Sequence, residues 1–213
     1  MSNKQKKFGL IFSNTERSFQ YLTYLKKVNL NPSLILVYSK NKLSNKFKKL
    51  LSKNECFFVS TDDINNKKIE KKILNSSEKY FIYSGYPSQI IRNRRLLNQK
   101  IILHSHPGKF PYFKGSTTIF YSILKNNSIW CSTFRMTSKL DSGKVFLMKK
   151  YRLNKKLFID FDKYDNLIRI KNLSQVLKSN LKRKIIFNNK NLERYYFVAH
   201  PIVRSLAKLK LEN

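Results

Sequence analysis

The chain has 213 residues, 41% hydrophobic and 14% aromatic, enough to bury one substantial core but too few for two large domains. Lys and Arg number 44 against 12 Asp and Glu, a formal charge of +32 that invites, without requiring, an anionic partner such as a nucleotide, nucleic acid or a membrane surface. The apolar and aromatic content excludes a disordered polyelectrolyte, and codon drift toward Lys and Asn on a tolerant surface explains only part of the charge, because such drift would enrich Glu as well.

The elements then follow in order. Lys7–Phe12 reads as a strand, Ser18–Asn29 as a helix, Ser33–Ser39 as a strand and Leu43–Lys53 as a helix, which is βαβα punctuation. The alternation continues with a strand at Cys56–Ser60, a polar helix at Asp63–Ser77, a strand at Tyr80–Gly85, a helix at Ser88–Leu97 and a strand at Ile101–His104. A helix over Ser116–Asn126 precedes two strands, Ile129–Met136 and Lys144–Leu153, joined by Thr137–Gly143. A polar helical tail is expected from about Asp162 to Lys184, followed by the aromatic stretch Arg194–Leu206. Fully apolar strands alternating with helices predict an α/β fold, a Rossmann-like doubly wound, mostly parallel sheet with helices on both faces and a short C-terminal extension. The loop after the first strand, Ser13–Ser18, lacks the G-x-G-x-x-G pattern, so no nicotinamide cofactor is expected. Cys56 and Cys131 sit in apolar runs outside any C-x-x-C pair and read as reduced core residues. The apolar run after the basic start is too short for a signal peptide and no stretch approaches a membrane span, so a cytoplasmic location is expected.

The chemistry gathers in Lys100–Gly115, which holds two of the three histidines, Pro107 and Pro111, and two of the five glycines. His104 and His106 are two apart at the end of a strand, so both leave on one face at the carboxyl edge where open α/β sheets bind ligands. Pro107 ends the strand, and Pro111 and Gly115 stiffen and turn the loop beyond it. Asp141 lies in a Leu-Asp-Ser-Gly turn between two strands, where Gly143 lets the turn tighten. Two imidazoles and a carboxylate suit proton transfer and stabilisation of an oxyanion. The ordinary alternatives are a turn-forming Asp and a hydrogen-bonded buried His. An H-x-H pair can also hold zinc with Asp141 or His200 as a third ligand, but no second cluster of His, Cys or acidic residues supports it and no catalytic metal is expected.

The run HSHPGKFPYFKGSTTIFYSIL followed by LDSGKV resembles the 10-formyltetrahydrofolate-dependent formyltransferases, whose signature is N-x-H-P, then L-P, a basic residue with Gly, a helix, and L-D-T-G. YFIYSGYPSQII resembles the same family's strand and Gly-Tyr turn upstream. The likeness is strongest over Tyr80–Leu147, weak over Phe8–Ser39 and absent from the tail. It implies that His106 is the catalytic imidazole, that Asp141 is the assisting carboxylate, and that His104 stands where the family has an Asn donating to the formyl oxygen. It also implies that backbone around Gly85, Tyr86 and Pro87 lines the site of 10-formyltetrahydrofolate, the co-substrate. On this reading residues 1–153 are the catalytic domain and 154–213 a helical extension packed on it.

Three acceptors follow from the resemblance. Little chain beyond Leu153 remains for the second domain of methionyl-tRNA enzymes, and Ser13–Ser18 replaces the Gly- and Ser-rich phosphate loop of the glycinamide ribonucleotide enzymes. An amino sugar, nucleotide-linked, is therefore expected. The alternatives are a methionyl-tRNA formyltransferase-like enzyme lacking that second domain, and a non-catalytic basic module that binds nucleic acid. Arg194, His200 and Arg204 in the aromatic stretch could pair with a nucleotide-linked substrate, though packing of an amphipathic helix explains them as well.

Overall fold

Strands and helices alternate along the chain as the apolar runs foretell: β1 Phe8–Ser13, α1 Glu16–Lys27, β2 Leu34–Tyr38, α2 Asn45–Leu51, β3 Cys56–Val59, α3 Lys67–Asn75, β4 Tyr80–Tyr83, α4 Arg94–Gln99 and β5 Ile101–His106. After them come β6 Lys114–Gly115, α5 Thr118–Asn126, β7 Ile129–Arg135, β8 Val145–Tyr151, α6 Phe161–Lys178, β9 Tyr195–Tyr196 and α7 Pro201–Glu212. The structure is a computed structural model and describes residues 7–153, 160–179, 181 and 193–212. A seven-stranded sheet has the order β3-β2-β1-β4-β5-β7-β8. Strands β1 to β5 pair in parallel and β7 with β8 antiparallel, so the sheet is mostly parallel and Rossmann-like. The order reverses between β1 and β4, the switch point at which such sheets open a crevice.

The chain divides into two compact units, Met1–His104 with Arg135–Ser142, and Ser105–Phe134 with Gly143–Asn213. The first is built on apolar strands. Every residue of β1 and β2 is buried, and Leu10, Ile11, Ile35, Leu36, Ile69, Phe81 and Ile82 form its interior. Such strands need cover on both faces, which the connecting helices supply. At the head of α1, Thr15 caps the helix by accepting from the Ser18 amide, while Ser18 Oγ donates to the Ser84 carbonyl at 2.7 Å. Hydroxyl groups, not glycines, thus close the first loop.

The second unit has its own core, in which Ile119, Phe120, Ile123, Ile129, Cys131, Phe161 and Ile168 meet Ala199, Ala207 and Leu211 of the tail. Burial pushes the Cys131 thiol up to about 12, as expected of an inert core residue. Helix α6 departs from the polar tail read from the sequence. It is buried nearly all round, and its polar side chains satisfy backbone: Arg169 Nη1 donates to the Ser105 carbonyl at 3.1 Å and Asn172 Nδ2 to the Cys131 carbonyl at 2.7 Å. The helix ends at Lys178, and residues 180 and 182–184 of the expected helix lie outside the described residues.

Helix α4 starts six residues later than the spacing predicts. The Asn65 side chain takes the backbone groups a helix would have used, donating to the Ile90 carbonyl at 3.0 Å and accepting from the Arg92 amide at 2.8 Å. Asn93 then caps α4 through the Leu96 amide.

Candidate functional site

The residues singled out by sequence fall in both units. His104 and Asp141 belong to the first with Gly85, Tyr86 and Pro87, and His106 belongs to the second.

In the first unit, the loop after β4 is held from below by tyrosines. Tyr83 Oη donates to the Tyr86 carbonyl at 2.7 Å, Tyr38 Oη donates to Gln89 Oε1 at 2.9 Å, and the Tyr86 amide donates to Tyr38 Oη at 3.1 Å. Burial pushes the Tyr83 hydroxyl up to about 12 and Tyr38 higher still, the latter helped by Tyr83 beside it, so both remain neutral donors. Gly85 fits here because a Cβ would strike the Tyr38 hydroxyl and come within 2.7 Å of the Tyr83 ring. Tyr86 and Pro87 line a cleft of about 850 Å³ with Gln89, Arg92 and Ser138. Ser138 belongs to the turn that carries Asp141, so loop and turn share this cleft. Lys40 and Asp62 also line it, paired at 2.9 Å.

Asp141 is buried in a turn whose Thr137 and Ser142 hydroxyls lie 2.6 Å apart. Its φ of 40° and that of Gly143, 126°, are both left-handed, so the turn bends at Asp141 as well as at the glycine expected to do so. Asp tolerates that region better than most side chains. His104 is half-buried, its ring edge-on to Tyr83 and its Nδ1 3.5 Å from the Tyr83 carbonyl.

In the second unit, His106 ends β5 and is buried. Its Nε2 lies 3.1 Å from both the Phe113 carbonyl and Thr118 Oγ1, while Thr118 donates its own proton to the Pro107 carbonyl. Both neighbours of Nε2 are therefore acceptors. This fixes Nε2 as the protonated nitrogen, and Nδ1 donates a hydrogen bond only from the imidazolium. Behind β5, the Arg169 that holds the Ser105 carbonyl is itself clamped by Asp165, with Nε 2.9 Å from both carboxylate oxygens. Gly115 has φ 98°, and a Cβ there would strike the Tyr196 carbonyl, so the Lys114–Gly115 strand closes on β9 only with glycine in place. Lys114 is buried and paired with Glu193 at 2.6 Å.

Sequence reasoning missed Gln89, Thr118 and Arg169, because single polar residues without a motif carry no signal. His200 heads α7, its Nδ1 accepting from the Ile202 amide at 3.3 Å. Among the described residues no group of three or more His, Cys, Asp or Glu is placed to hold a metal ion, and no helix is long and apolar enough to cross a membrane.

No protein-family model and no curated protein matches the chain. Solved structures do. A sugar N-formyltransferase from a Shewanella species aligns with 96% of this chain and 87% of its own, with a TM-score of 0.61 at 14% identity. A glycinamide ribonucleotide transformylase from Symbiobacterium toebii aligns with 88% and 93%, with a TM-score of 0.65 at 11% identity. The sugar 3N-formyl transferase WlaRD, solved in the presence of dTDP and 5-N-formyl-THF, aligns with 92% and 70%, with a TM-score of 0.55 at 17% identity. The chain has the fold shared by these formyltransferases.

Proposed function

We propose that the chain is a formyltransferase that moves a formyl group from 10-formyltetrahydrofolate to the amine of a nucleotide-linked amino sugar. One observation carries this reading: in a fold shared with formyltransferases, the H-x-H-P residues fall at the carboxyl end of β5 and the L-D-S-G aspartate in a buried turn. The hydroxyl-closed loop at the head of α1 favours an amino sugar over a ribonucleotide phosphate, since it lacks glycines that would open backbone amides to an anion.

The cleft under Tyr86 and Pro87 is of a size that suits the co-substrate, lying within the roughly 300–1,000 Å³ usual for small-molecule sites. The folate supplies the formyl carbon, bonded to its N10. Asp141 takes the proton released as the acceptor nitrogen adds, and His106, charged, donates from Nδ1 to the oxygen that gains negative charge; the bond from the formyl carbon to folate N10 then breaks as the carbonyl re-forms, and N10 leaves with the proton that Asp141 returns. Thr118 and the Phe113 carbonyl hold that ring in place through Nε2. His104 supplies the second donor where the family has Asn.

The test is turnover. Purified protein with 10-formyltetrahydrofolate and a panel of dTDP- and UDP-linked amino sugars should release tetrahydrofolate and yield an acceptor heavier by one CO. No release with any amine, or equal release by His106→Ala, would overturn the reading.

A further inference from the structure

The second unit holds a cleft of about 480 Å³ that the formyl chemistry does not use. Among the described residues four cations line it, Lys109, Lys125, Lys150 and Arg194, and no carboxylate does. Glu193, next to Arg194 in sequence, is engaged by Lys114. Aromatic rings supply the walls. Lys109 Nζ lies 5.0 Å from the Trp130 ring and 5.4 Å from the Tyr112 ring, and Phe113 stacks on Tyr196 with centroids 5.1 Å apart and planes at 9°. Across the β7–β8 ladder Trp130 pairs with Lys150, so the indole and a cation are fixed side by side by strand register.

We propose that this cleft binds a nucleoside phosphate, the nucleotide part of the acceptor, with the base on Trp130 and the phosphates among the four cations; the assignment rests on the nucleotide-linked acceptor proposed above. Ammonium and guanidinium groups without carboxylate partners favour phosphate oxygens. A planar base has an aromatic face to stack on. Lys109 now sits over both rings, and a ligand with both groups would draw its ammonium to phosphate and leave the indole face to the base. The cleft also reports to the chemistry through a short covalent path. Lys109, Tyr112 and Phe113 stand on the loop that follows His106, and the Phe113 carbonyl is a partner of His106 Nε2.

Trp130 is the only tryptophan of the chain, so fluorescence excited selectively at tryptophan, clear of tyrosine absorption, reads this cleft. Titration with dTDP or UDP should quench it saturably, and inorganic pyrophosphate should compete without quenching. Lys150→Glu and Arg194→Glu, both at exposed positions, should each weaken dTDP binding by about tenfold or more without moving the thermal midpoint. Trp130→Ala, followed by calorimetry, should weaken it by about tenfold to a hundredfold. Lys40→Glu, in the first unit, should leave it unchanged. Absence of saturable quenching, or full affinity in both charge reversals, would overturn the proposal. So would a single-stranded dT oligonucleotide that binds far more tightly than dTDP and is not displaced by it, which would assign the cleft to nucleic acid. Formyl transfer without dTDP or UDP quenching removes this site but not the enzyme, whereas quenching without transfer to any amine removes the enzyme but not the site.

Discussion

The two clefts, one in each unit, treat charge in opposite ways. In the first unit Lys40 is matched by Asp62 at 2.9 Å, and the floor is a set of neutral tyrosine hydroxyls. In the second, four cations share a cleft with no carboxylate among its described residues, and two of the cations are held over aromatic faces. On a chain of formal charge +32 the total says little about a partner. What discriminates is where the few carboxylates are spent, since an ion pair is already satisfied while a cation on a ring face can exchange that weak contact for phosphate.

The comparison breaks most visibly if catalysis and nucleotide binding are not separable. His106→Ala and Asp141→Asn should each lower kcat by about 10²- to 10⁴-fold, while the dTDP-induced change in Trp130 fluorescence persists. Asn is the right replacement at position 141, because φ there is 40° and Asn, like Asp, accepts the left-handed region. Near-normal kcat in either variant would remove the acid–base assignment, and parallel loss of quenching would show that the variants disturb the fold.

A smaller effect is expected at His104. Its Nδ1 faces the Tyr83 carbonyl, so the opposite nitrogen donates only when the ring is charged. His104→Ala should cost about a hundredfold in kcat, and His104→Asn should keep or improve it. Turnover of the parent should fall as pH rises through the titration of either imidazole, and the Asn variant should keep only the part that belongs to His106. Identical pH profiles would place the oxyanion donor elsewhere.

How far the sequence carried these sites depends on how local their causes are. Strands β1, β2 and β4 are legible because a parallel strand buried on both faces is a continuous apolar run. Helix α4 was misplaced because a side chain 25 residues upstream, Asn65, competes for the backbone at Ile90. Strands β6 and β9 are two residues each, too short for any periodicity, and they pair across most of the tail. Helix α6 read as polar because its Arg169 and Asn172 count as hydrophilic in any pattern, although both are buried against carbonyls. The roles proposed for the histidines and Asp141 come from a motif. The tyrosine floor and the aromatic-cationic cleft, assembled from distant segments, were not legible in the sequence.

Gln89 probes the floor of the first cleft. Its Oε1 accepts from Tyr38 Oη at 2.9 Å and its Nε2 donates to the Asp62 carbonyl. Gln89→Leu removes both bonds and should cost about 1–3 kcal/mol of stability. It should also raise KM for 10-formyltetrahydrofolate more than it lowers kcat, because the loop loses its support while Asp141 and His106 keep theirs. Unchanged KM would separate this cleft from the folate, and altered dTDP affinity would show that the clefts are not independent.

The smallest effect tests whether buried charge in the first unit is compensated residue by residue. Glu78 is buried, which by itself would raise its carboxyl, but hydrogen bonds from Ser33 Oγ at 2.9 Å, its own backbone and Ser77 Oγ at 3.3 Å hold it below the usual range. A carboxylate whose folded-state value is depressed stabilises fully above its unfolded value, about 4.3 for Glu, and that contribution is lost as pH falls through the folded value. Glu78→Gln keeps the shape and an acceptor but not the charge, so it should cost about 1 kcal/mol at neutral pH. The gap between parent and variant in denaturant titrations should then close in acid, as the parent protonates and loses the same charge-assisted bonds. A gap that stays constant down to that range would mean that Glu78 acts through packing and the Ser33 contact alone, and that pairing of charges is a property of the first cleft rather than of the unit around it.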